Sequence, residues 1–74
     1  MHNIKFYEGR VKMYEKYCEL RDKSGMTDYQ VSMKTGITKS TFTDWKTGRS
    51  KPGVEKLHAL ATLFGVQIEY FLEG

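Results

Sequence analysis

Only three residues, Gly36, Ile37 and Thr38, separate two segments that each carry the marks of a complete short helix. Upstream, Thr27 with Gln30 three positions later forms a capping-box pattern, and Met26, just before the cap, is placed to pack on Val31 as a hydrophobic staple. Downstream, Thr38 caps a second segment whose staple is Ile37 with Phe42, and which runs on through Trp45 to Gly48. A glycine at the left-handed position of so short a connection stops the first helix and sends the second away at a steep angle. The centre of the chain is therefore expected to be a pair of steeply crossed helices.

The rest of the chain reads the same way. One proline, Pro52, and glycines at Gly25, Gly36, Gly48, Gly53 and Gly65 cut it into short pieces whose apolar residues recur with helical rather than alternating period. Over residues 11–24, Met13, Tyr17 and Leu20 share a face flanked by Tyr14 and Cys18, which predicts a first helix ending at Gly25. Val54, Leu57, Leu60, Ala61 and Phe64 predict a fourth helix closing at Gly65, and a short fifth is expected over 67–72, with Val66 placed to staple on Phe71. The expected fold is all-α, five helices, with residues 11–74 as the domain and residues 1–10 as an N-terminal arm, a disordered tail or an extension of the first helix.

At 74 residues a chain buries only about 60% of its unfolded surface, so one core is expected, with no room for a second, small-molecule effector domain. Cys18 is the single cysteine, which rules out an internal disulfide and suits a reducing cytoplasm. The longest apolar stretch, 58–66, is interrupted by Thr62 and Gly65 and is far below membrane-spanning length; no signal-peptide core is visible at the start of the sequence. A soluble cytoplasmic protein is expected. Two histidines, one cysteine, no paired carboxylates, no glycine-rich phosphate loop and no nucleophile elbow leave no enzyme in view. Cys18 and His58 lack the spacing and the companions that a closed zinc site needs, so neither metal nor cofactor is expected.

The formal net charge is +3, which is modest, but its distribution is uneven. Residues 34–51 hold Lys34, Lys39, Lys46, Arg49 and Lys51 against Asp44 alone, whereas the stretches on either side are near neutral or acidic. A cationic block centred on a steep helix pair is either a solvated face or a surface for a polyanion.

The residues at this point resemble something specific. Leu20-Arg21 before Gly25-Met26-Thr27, the small Ser32, the Gly36-Ile37-Thr38 turn, the Trp45, Gly48, Lys51-Pro52 run and the closing Phe64-Gly65-Val66 with Phe71-Leu72 are similar, in order and spacing, to the Cro/CI-type (lambda-repressor-like, XRE) helix-turn-helix family of bacterial and phage regulators. The likeness covers about residues 13–72. It implies a five-helix lambda-repressor-like domain that binds double-stranded DNA as a repressor-like transcriptional regulator, with the second helix of the motif, residues 39–47, in the major groove. Two positions depart from the pattern. Asp28 stands where the family commonly has a phosphate-gripping glutamine, and Lys46 stands where it often has the glutamate that pairs with the arginine at Arg21. Arg21 is thereby left to Asp44 or to a carbonyl, and Lys46 is released for phosphate.

Phe42 and Trp45 must point inward with Ile37, so Lys39, Ser40, Thr43, Lys46 and Thr47 form the opposite strip. The resemblance maps base reading onto Lys39, Ser40, Thr43 and Asp44, and the chemistry fits: lysine donates to guanine, serine donates or accepts, the threonine methyl meets thymine, and aspartate accepts from cytosine. Phosphate grip falls to Thr27, Tyr29, Lys46, Thr47, Arg49, Ser50 and Lys51. Family likeness also implies a homodimer joined through the C-terminal segment, where Ile68, Tyr70 or Phe71 is expected to meet a partner, packing into the chain's own core being the alternative. The competing expectation is a protein-interaction module, antitoxin-like or accessory, for which DNA binding is secondary.

Overall fold

A computed structural model describes the backbone of residues 4–72 and the side chains of residues 12–72. Five helices follow in order: α1 (Ile4–Lys23), α2 (Asp28–Thr35), α3 (Lys39–Thr47), α4 (Val54–Phe64) and α5 (Glu69–Leu72). No strand occurs among the described residues. The first helix starts at Ile4 rather than near residue 11, so the backbone of 4–10 continues α1; the Lys5 and Arg10 side chains of the expected arm lie outside the described residues. The fifth helix is shorter than the expected 67–72, because its first turn is closed by bonds from the Tyr70 and Phe71 amides to the Gln67 and Ile68 carbonyls.

The caps do what their residue types dictate. Thr27 accepts from the Gln30 amide at 3.2 Å while its own amide donates to Gln30 Oε1 at 3.0 Å, a complete capping box. Thr38 caps α3 by accepting from the Thr41 amide. Gly36 and Gly48 sit at φ 81° and 80°, left-handed backbone that an L side chain adopts only with strain, and their amides close the ends of α2 and α3 on Ser32 O and Trp45 O. The turn between α2 and α3 therefore has no slack residue: one stops a helix, one enters the core and one starts the next helix.

Aromatic stacking joins α1, α3 and α4. Tyr17 lies flat on Phe42 at 4.9 Å between centroids, Phe42 meets Trp45 edge-on at 5.3 Å, and Phe64 leans on Tyr17 at 6.3 Å. Val31, Ile37, Leu57, Leu60 and Ala61 complete this core, with Met26 packed at its edge. Ile37 and Phe42 are both buried, as the staple requires. Two apolar residues behave otherwise than expected. Val54, expected on the inward face of α4, is 73% exposed because it occupies the first position of the helix, before α4 has turned onto the core. Phe71, expected at a partner surface, is 2% exposed and belongs to the chain's own core.

α5 is held to α1 by polar contacts and to the core by Phe71. Lys16 Nζ donates to the Tyr70 carbonyl at 2.8 Å and sits over the Tyr70 ring, and the Tyr70 hydroxyl donates to Glu19 at 3.2 Å. Tyr70 is therefore engaged within the chain, half-buried, as is Ile68.

Candidate nucleic-acid interface

Burying Phe42 and Trp45 leaves the other side of α3 to solvent. Lys39, Ser40, Thr43, Lys46 and Thr47 are all exposed, and Asp44 is half-buried at the edge of the strip. The hydroxyls are ordered by the helix itself. Ser40 Oγ lies 3.1 Å from Thr38 Oγ1, the Thr43 hydroxyl donates back to the Lys39 carbonyl at 3.3 Å, and the Thr47 hydroxyl donates to the Asp44 carbonyl at 3.2 Å. With its hydroxyl hydrogen given to the helix, Thr43 has its methyl and an acceptor oxygen left for a ligand.

Beyond α3, the Arg49 and Ser50 amides both donate to the Asp44 carbonyl, at 2.9 and 3.3 Å. This closure of the helix end carries Arg49, Ser50 and Lys51 out along the same end of the molecule, all of them exposed, while Pro52 is buried beneath. Arg49 Nε comes within 3.9 Å of the Asp44 carboxylate, a loose pair with side chains 77% and 41% exposed. Across the turn, Thr27 and Tyr29 are exposed at the start of α2, and Lys39 Nζ stands 5.9 Å from the centroid of the Tyr29 ring. The first positions of α2, the outer face of α3 and the segment after it thus contribute polar and cationic groups.

The partner of Arg21 is neither Asp44 nor a carbonyl. Arg21 Nη1 donates to Asp28 Oδ1 at 2.9 Å and its Nε to Asp22 at 3.0 Å, while Asp44 looks to Arg49 instead. The Tyr17 hydroxyl donates to the same Asp28 oxygen at 2.6 Å. Burial pushes the Asp28 carboxyl up, but the bonds from Tyr17 and Arg21 outweigh it and hold the group below its ordinary value. Burial, and then the carboxylate it bonds, raises the Tyr17 phenol, and the bonds to Asp22 and Asp28 raise Arg21. Asp28 is thus a tie between α1 and α2, a role that sequence reasoning missed. The available clue was that Tyr17 and Arg21 stand one turn apart on α1.

Cys18 is half-buried on α1 and His58 is exposed on α4. No group of three or more His, Cys, Asp or Glu among the described residues is arranged to hold a metal ion, and no described helix is long and apolar enough to cross a membrane.

Comparison with known proteins places this geometry. The profile of the helix-turn-helix family matches residues 19–71, from the end of α1 to α5. The chain belongs to this family, in its Cro/CI (XRE) type. The helix-turn-helix chain is 30% identical over 64 residues to the HTH-type transcriptional regulator DdrOP3 of Deinococcus deserti, a match covering 86% of this chain and 50% of that protein. It is 35% identical over 60 residues to the uncharacterized HTH-type transcriptional regulator YobD of Bacillus subtilis, covering 76% of this chain and 54% of that protein. The chain thus spans about half the length of the curated relatives it matches. No solved structure matches it.

Proposed function

We propose that this chain binds duplex DNA in a sequence-specific manner and regulates transcription in the cytoplasm, as a repressor-like protein whose α3 lies in the major groove. The observation that carries the reading is the division of α3 into a fully buried aromatic face and an exposed strip of Lys39, Ser40 and Thr43, flanked by the cations Lys46, Arg49 and Lys51. A helix so anchored holds the backbone of its outer strip in a fixed register, which base reading needs. Lys39 is suited to guanine, Ser40 to either a donor or an acceptor, and the Thr43 methyl to thymine; Asp44 reads cytosine if it leaves Arg49. Lys46, Thr47, Arg49, Ser50 and Lys51, with Thr27 at the start of α2, take the phosphates. Residues 11–74 form the binding unit. Two copies meet through the C-terminal segment, where Ile68 and Tyr70 keep part of their surface open and Phe71 does not.

The test is selection of bound sequences from a random duplex pool, followed by the specific-to-nonspecific affinity ratio at one fixed salt concentration for the parent and for Lys39→Ala combined with Ser40→Ala. The double variant should keep its melting temperature and lose about 1 to 3 kcal/mol of discrimination per well-placed contact. Full preference in the variant would remove α3 as the reading helix. A parent with no duplex preference would favour the interaction-module reading.

A further inference from the structure

Tyr29 is the one aromatic among the large side chains that the described residues leave exposed, at 59%, and no core contact explains it. It is the second residue of α2, and Lys39 is the first of α3, so the contact between them bridges the turn. The Lys39 ammonium lies 5.9 Å from the ring centroid, within reach of the ring's negative face. The Asp28 carboxylate, which Tyr17 and Arg21 bond, is near enough for its charge and that of Lys39 to attract. A lysine carries a long flexible stem and loses that freedom when it is fixed on a base edge. Resting on a ring before binding removes part of that loss.

We infer that Tyr29 acts as a positioning residue for Lys39: its ring, not its hydroxyl, holds the lysine at the start of α3 in the orientation that reads a guanine edge. This rests on the DNA-reading role of α3 and replaces a phosphate contact from the Tyr29 hydroxyl with a contribution to specificity. Ring and hydroxyl are separable, because phenylalanine keeps the face and drops the oxygen, while leucine drops both and keeps much of the apolar bulk.

The experiment measures binding of the full chain to its selected duplex and to the same duplex changed at the base pair whose preference Lys39→Ala abolishes, at one salt concentration. Tyr29→Leu should reduce discrimination at that base pair by about two- to fivefold, Tyr29→Phe should retain it, and Tyr29→Leu should have no further effect in a Lys39→Ala background. In the free protein, the ε-methylene protons of Lys39 should be shifted upfield by the ring in the parent and in Tyr29→Phe, and not in Tyr29→Leu. Equal losses in Tyr29→Phe and Tyr29→Leu on every duplex would assign the hydroxyl to a phosphate and overturn the proposal. So would full discrimination in Tyr29→Leu, or an unshifted lysine in the parent. A parent that prefers no duplex defeats the DNA reading itself and this role with it, an outcome distinct from a parent with a preference that Tyr29→Leu leaves intact.

Discussion

The oxygen that Asp28 offers to Tyr17 and Arg21 is only partly shielded, with the Arg21 and Asp28 side chains 20% and 35% exposed. Hydrogen bonds to charged groups contribute about 1.5–3 kcal/mol, and solvent screening at the open part of Asp28 brings the expected cost of Asp28→Asn to about 1–2 kcal/mol. A double-mutant cycle read by urea unfolding should show Arg21→Met coupled to Asp28→Asn and not to Asp44→Asn. The pH dependence has a definite sign. Because the folded protein holds the Asp28 carboxyl below its ordinary value of 3.8, this stabilisation is complete above that value and is lost as pH falls through the folded one. Parent stability should therefore fall more steeply than that of Asp28→Asn as the pH is taken below 4, and parallel curves would show that the tie does not contribute. The sequence made Arg21 visible as a cation in need of an acid, but not which acid. That choice depends on how the chain returns after Gly25, which sets Asp28 rather than Asp44 against the end of α1.

At the scale of elements, the turn between α2 and α3 is where local chemistry speaks most directly. Capping box, staples and C-terminal glycines are contacts over three to five residues, so Thr27, Gln30, Gly36, Thr38 and Gly48 could be read without knowing the tertiary structure. The exposure of Val54 and the burial of Phe71 could not, because each depends on where along α4 or α5 the helix meets the core. Gly36 offers a test free of packing effects, since a Cβ built on it would have nothing within 4 Å. The cost of Gly36→Ala is therefore one of backbone conformation at φ 81°, expected to be about 1 kcal/mol, and Gly36→Asn should cost less because asparagine tolerates left-handed backbone. Thermal unfolding of the two variants checks this order. Equal stability of Ala and parent would mean that the α2 end can rearrange, and with it the direction of α3.

Over the whole molecule, charge and fold coincide. The cationic stretch 34–51 spans the end of α2, all of α3 and the segment after it, so the stretch that was conspicuous in composition is also one whose lysines and arginine the fold leaves outside. A surface that grips phosphates releases counterions, and the logarithm of affinity falls with the logarithm of salt by about 0.9 per phosphate neutralised. Arg49 is available for this, because its pair with Asp44 at 3.9 Å is long and open, and pairs of that kind contribute little. Arg49→Ala and Lys51→Ala should each lower the salt slope by about one unit and weaken specific and nonspecific binding alike. Lys56 on α4, exposed but outside the stretch, is the control. Its alanine variant should keep the parent's slope. Slopes unchanged in the Arg49 and Lys51 variants, or lowered equally by Lys56→Ala, would mean that the segment after α3 does not grip the backbone and that the positive charge acts only as a diffuse field around the molecule.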